Sequence, residues 1–148
     1  MEAAKPITTR VTSVATPTAG DITLQLAIVA LTVATAAIHV SLGGLLFLAN
    51  AAGYSALALA LIAPFGLARE YRWLVRLALL GFTLATIAGW VVFGARIPVA
   101  YLDKGIEALL VACVVATLYR LDGSPLEVLG RVVGLARAVT GRPAGRGR

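Results

Sequence analysis

Asp103 and Glu107 are the strongest chemical signal in the chain: two carboxylates one helical turn apart, at the start of an otherwise apolar stretch. They share a helix face, and in the first turns of a helix the backbone dipole favours negative charge. An ionisable group inside an apolar span is costly and is by default a candidate for function; Glu107 fits that description best. Two readings stay open. One is a binding or proton-handling pair. The other is a structural clamp, with Asp103 and Glu107 bonded to Arg96, Lys104 or a tyrosine. The remaining groups expected at the same end are His39, Asn50, Tyr54 and Tyr101, so the candidate polar cluster is His39, Asn50, Tyr54, Arg96, Tyr101, Asp103, Lys104 and Glu107.

His39 is the single histidine and Met1 the single methionine, so two axial haem ligands from one chain are nearly excluded. A symmetric dimer sharing two copies of His39 is the alternative. Cys113 is the single cysteine; it can form no intrachain disulfide and reads as a small buried apolar residue. There is no nucleotide-binding loop, zinc spacing or nucleophile elbow. No catalytic residue, metal or resident cofactor is expected.

The elements that must position these groups follow from hydropathy. Ile22–Ala68 contains no Asp, Glu, Lys or Arg. A bilayer crossing takes about 20 apolar residues of helix, so this run suits two spans joined at Gly43-Gly44, a turn signal. The spans are expected near 22–40, 45–65, 73–93 and 101–121. The fold expected is all-α: a four-transmembrane-helix bundle (22–121) after a flexible tail (1–21), ending in an amphipathic interfacial helix and basic tail (122–148). The tail plus first span could also read as a signal peptide, with Ala34-Thr35-Ala36 as a small-x-small site. A long, weakly basic leader favours a retained span.

Composition agrees. Hydrophobic residues make up 59% of the 148 and charged residues 14%, where soluble domains carry about 25% charged residues. The mean hydropathy is +0.91. The net charge of +6 comes from residues flanking the apolar spans, so anionic lipid headgroups rather than nucleic acid are the expected counterion. Three small-residue stripes at steps of four, Ala52/Ala56/Ala60, Gly81/Ala85/Gly89 and Ala108/Ala112/Ala116, are expected to hold a compact bundle together. Arg76 is expected to snorkel to the headgroups. Gln25, Thr32 and Thr35 in the first span can bond to backbone or to neighbouring helices, and Thr and Ser residues inside spans most often bond to their own helix.

Past the fourth span, Ser124 and Glu127 have capping-box spacing, and Pro125 suits the first helical position. In Leu126–Val139 the apolar residues fill one half of the wheel. The basic residues Arg131, Arg137, Arg142, Arg146 and Arg148 are expected at the lipid surface, with packing on a partner subunit as the alternative. Lys and Arg concentrate on the side holding both tails, which places both termini in the cytoplasm.

The runs "AIHVSLGGLLFLANAAGYSALALAL", "RWLVRLALLGFTLATIAGWVVFG" and "YLDKGIEALLV" resemble small four-span bacterial integral membrane proteins over about residues 37–121, and Asp103-Lys104-Gly105-Ile106-Glu107 is the most distinctive piece. The resemblance implies a multi-pass bundle of the bacterial plasma (inner) membrane and no activity. The expected role is a non-enzymatic accessory or interaction subunit in a homo- or hetero-oligomer. The alternatives are a small oligomeric transporter or channel using Asp103 and Glu107, and a redox-complex subunit touching haem or quinone near His39.

Overall fold

The computed structural model describes residues 18–66, 70–123 and 125–141, all of whose regular structure is helical. The helices are α1 (Ala19–Leu42), α2 (Leu45–Ile62), α3 (Arg72–Phe93), α4 (Pro98–Thr117) and α5 (Pro125–Val139), with a π-helical turn at Leu118–Asp122 between α4 and α5. The chain before Thr18, Arg69, Ser124 with its expected cap, and Arg142, Arg146 and Arg148 lie outside the described residues.

Local chemistry sets the helix ends. Thr18 and Asp21 form a capping box: the Asp21 carboxylate accepts from Thr18 N at 2.9 Å, and Asp21 N donates to Thr18 Oγ1 at 3.3 Å. This starts α1 before the uncharged run begins. Gly43 and Gly44 both take positive φ, 68° and 84°, the conformation that reverses the chain there and that glycine adopts without strain. Pro64 ends α2 at Ile62: it restricts Ala63 to extended backbone (ψ 127°). Pro98 occupies the first turn of α4, so that helix starts at 98 rather than 101.

Three helices, α1, α2 and α3, are long and apolar enough to cross a membrane. The fourth, α4, has 20 residues but carries Asp103, Lys104 and Glu107. The helices form a ring in which α1 and α3 each pack against both α2 and α4. Ile28, Tyr54, Leu61, Leu79, Leu110 and Val114 fill its centre. Large apolar side chains also cover the outside: Leu45 is 87% exposed, Phe93 89% and Val92 66%. An apolar surface of that extent is foreign to a soluble monomer.

Two expectations about packing are corrected. The small-residue stripes do not hold the ring together. Ala52, Ala56, Gly81, Ala85, Gly89, Ala108 and Ala112 are exposed, and Ala60 and Ala116 half-buried. The inner face of α2 is one residue away from its stripe, at Ala51, Tyr54, Ala58 and Leu61. The true close approach is at Gly53, where an added Cβ would lie 2.6 Å from Phe82 Cζ. Nor does Arg76 snorkel. It is 6% exposed, donating to Asp122 Oδ2 at 2.8 Å and facing Gln25 Oε1 at 3.4 Å. Asp122, at the end of the π-helical turn, is near enough to draw the guanidinium inward. On the outside of the same end Arg120 pairs with Asp21 at 3.3 Å.

In α5, Val128 is buried and Val132 half-buried, while Arg131 and Arg137 are exposed. Val128 and Val132 face Leu77, Leu80 and Val115 across a crevice of about 460 Å³. Cys113 is half-buried and packs against the core.

Candidate functional site

A buried polar cluster lies at the end of the ring where α1 turns into α2 and α3 into α4. Each of the four helices supplies a member. Helix α4 places Asp103 and Glu107 one turn apart, facing inward at 2% and 0% exposure. Thr35 and His39 come from α1, likewise one turn apart, Tyr54 from α2, and Thr83 and Thr86 from α3.

The hydrogen bonds divide the two acids' work. Asp103 Oδ1 accepts from Thr35 Oγ1 at 2.6 Å, and Asp103 Oδ2 meets Lys104 Nζ at 3.0 Å. Glu107 Oε1 accepts from Tyr54 OH at 2.9 Å and lies 3.0 Å from Thr86 Oγ1, whose one proton also faces the Thr83 carbonyl oxygen at 2.8 Å. Glu107 Oε2 accepts from the same Lys104 ammonium. Both carboxylates therefore have donors on both oxygens, the condition under which buried charge is tolerated. At formal charges, two acids and one ammonium leave one negative charge in excess.

His39 is anchored by a contact that fixes its tautomer. Its Nδ1 lies 2.9 Å from the Thr35 carbonyl oxygen. A carbonyl only accepts, so Nδ1 carries the proton and, in the neutral ring, Nε2 keeps the lone pair. Asp103 Oδ1 lies 3.7 Å from Nδ1 and reinforces that choice. The ring packs beside Phe47 and Tyr54, with centroids 6.0 Å and 5.7 Å away. Tyr54 in turn meets Phe82 edge-on at 4.9 Å.

Ligand atoms of His39, Asp103 and Glu107 lie within 4.8 Å of one another, a spacing that suits a metal ion. Lys104 stands in hydrogen-bond contact with both acids, so its ammonium serves as the cation of that group.

The cluster forms the floor of a cavity of about 720 Å³. His39, Asn50, Thr86, Asp103 and Lys104 are the polar members of its lining, and the walls are apolar, with Phe47, Phe82, Trp90 and Phe93 among them. Asn50, half-buried, thus lies on the wall rather than in the cluster. Arg96 and Tyr101 stand apart from it. The Arg96 guanidinium stacks 4.2 Å over the Trp90 ring and donates to Val91 O at 2.8 Å. Tyr101, 54% exposed, meets Trp90 edge-on at 5.2 Å. Neither contacts the acids; Lys104 fills the role the clamp reading shared between Arg96 and Lys104.

Thr35, one of three α1 residues expected to bond to backbone or to a neighbouring helix, does the latter; sequence reasoning missed Thr86. Thr32, Thr83 and Thr117 bond to carbonyls of their own helices, as expected. Thr35 reaches across to Asp103 of α4, and Thr86, besides facing its own helix's Thr83 carbonyl, comes within 3.0 Å of Glu107. For Thr35 the signal was that it precedes His39 by one turn and so shares its face. The second buried pair, Arg76 with Asp122, was also missed; a charged residue at each membrane-flanking end of two apolar runs was the available clue. No protein-family model matches the chain, and neither the curated proteins nor the solved structures include one significantly similar to it.

Proposed function

We propose that the chain is a four-span integral protein of the bacterial plasma membrane, with both termini cytoplasmic, acting as a non-enzymatic accessory or interaction subunit of a membrane complex. One observation carries the reading. The small-residue stripes Ala52/Ala56 and Ala108/Ala112 lie on the outside of the ring. Lipid tails give helices no hydrophobic reason to associate, and small residues are what let a second helix come close. Stripes unused by the fold are surfaces on which a partner or a second copy can pack.

The fourth crossing is supported by where α4 turns its charges. Asp103 and Glu107 are buried and Lys104 is largely covered, so the outward residues Leu102, Ala108, Leu109 and Ala112 present an uncharged face. Twenty residues of helix rise about 30 Å, one hydrocarbon thickness. The two buried networks act as clamps: at one end Asp103 holds α1 to α4 and Glu107 ties α2 and α3 to it, with Lys104 neutralising one of the two charges, and at the other Arg76 with Asp122 ties α3 to the end of α4.

Native gels and crosslinking of gently solubilised membranes test this reading. A species above monomer mass is expected, and it should be lost in Ala56→Phe or Ala112→Phe without loss of the folded monomer. A monomer band alone, with no co-purifying protein, overturns it. A small oligomeric transporter or channel is the second reading, favoured by a cavity that reaches Asp103 and Lys104. Equal ion flux through liposomes holding wild type and Glu107→Gln removes it.

A further inference from the structure

We infer that the cavity between α1, α2, α3 and α4 is a binding site for the ring of a lipid-soluble quinone. The floor, the walls and the rim each limit the ligand.

The floor leaves particular groups unspent. The carboxylate oxygens of Asp103 and Glu107 are all engaged. Among the described residues, no hydrogen bond uses His39 Nε2, and Lys104 directs two of its three donors to the acids. What remains is one acceptor on His39 and one donor on Lys104, both on residues lining the cavity. A quinone oxygen suits this pair in both its states. As a carbonyl it accepts from Lys104; as the hydroxyl of the quinol it donates to His39 Nε2. The excess negative charge of the cluster argues against an anionic headgroup, a fatty acid or a dianionic tetrapyrrole.

The walls ask for a flat, apolar body. Phe47, Phe82, Trp90 and Phe93 supply aromatic surface, which favours stacked or edge-on rings. A volume of about 720 Å³ is in the range of small-molecule sites, about 300–1,000 Å³. The rim is apolar and outward: Leu46 is 71% exposed and Phe93 89%. A ligand reaching the floor passes greasy side chains, as one dissolved in lipid would.

The site offers its own test. Trp90 lines the cavity, whereas Trp73 is at the other end of α3, and quinones quench indole fluorescence. The probe is 2,3-dimethoxy-5-methyl-6-decyl-1,4-benzoquinone, titrated into the full-length protein in dodecyl maltoside. Saturable quenching is expected in Trp73→Phe, which keeps Trp90, and only a linear collisional background in Trp90→Phe. Gly89 lines the cavity, and a Cβ added there meets nothing within 4 Å. Gly89→Phe should therefore fill the cavity, weaken binding at least tenfold and leave the thermal midpoint unchanged. Ala85→Phe, on the same wall, serves if Gly89→Phe fails to fold. His39→Leu should weaken the quinone by a similar factor. Linear quenching in both tryptophan variants, undiminished binding in the filled-cavity variant, or equal competition by decanol or decanoate overturns the proposal. The substituted residues lie outside the Ala52/Ala56 and Ala108/Ala112 stripes, so the accessory-subunit reading stands or falls separately.

Discussion

Replacing Lys104 with Met removes the one ammonium from between two buried carboxylates. At 3.0 Å from Asp103 Oδ2, and with an effective dielectric of about 20, the pair attracts by about 5.5 kcal/mol. The contact with Glu107 contributes a similar gross amount. Much of this is offset by the cost of taking the charges out of water. The variant also leaves Asp103 and Glu107 facing each other with ligand oxygens within 4.8 Å, a repulsion of about 3.5 kcal/mol at the same dielectric. Breaking a buried pair by removing one partner costs about 3–5 kcal/mol, and Lys104→Met should fall in that range. The assay is equilibrium unfolding in mixed micelles of dodecyl maltoside and increasing dodecyl sulfate, followed by helical circular dichroism. The triple variant Asp103→Asn/Lys104→Met/Glu107→Gln removes all three charges and keeps similar shapes. It should recover to within about 1–2 kcal/mol of wild type, because neutral replacements leave no uncompensated charge. A Lys104→Met midpoint within about 0.5 kcal/mol of wild type, the scale of an ordinary surface substitution, would refute the clamp.

The second clamp predicts a parallel result: Arg76→Leu alone leaves Asp122 buried without its partner and should cost about 3–5 kcal/mol in the same assay, while Arg76→Leu/Asp122→Leu recovers most of it. Gly53→Val forces Phe82 off the edge of Tyr54, since even a Cβ there lies 2.6 Å from Phe82 Cζ; a loss of about 1–3 kcal/mol is expected, and Phe82→Ala in the same chain should remove the clash. Tyr54→Phe takes away the tyrosine hydroxyl that donates to Glu107 Oε1 and should cost about 1.5–3 kcal/mol, the range for a hydrogen bond to a charged group. A Tyr54→Phe protein as stable as wild type would show that Thr86 alone satisfies that oxygen.

What could be read from the sequence was whatever depends on local chain chemistry. The Gly43-Gly44 reversal, the start of α5 at Pro125, and Asp103 and Glu107 sharing one helix face all follow from spacing within a few residues. The failures share one cause. In a helix that is apolar all round, lipid-facing and core-facing positions look alike, so periodicity does not say which side is inside. That is why spacing alone points to the Ala52/Ala56 stripe as a packing face, whereas Ala51 and Tyr54 hold the inner one. Partners far apart in sequence were equally hidden: Thr35 meets Asp103 68 positions away, and Arg76 meets Asp122 46 positions away. Arg76 alone looked like a snorkelling residue; its burial depends on an acid that presented itself as part of a turn. The cavity needed the full ring, because its polar floor and aromatic wall come from four helices.

Whether α4 crosses the bilayer is decided by labelling single cysteines on either side of it, in a Cys113→Ala background. An impermeant maleimide added to intact cells should tag Ala95→Cys, between α3 and α4, and should reach Thr140→Cys, after α5, only once the membrane is permeabilised. Labelling of both positions from the same side would contradict a four-span bundle with its buried cluster at the outer end.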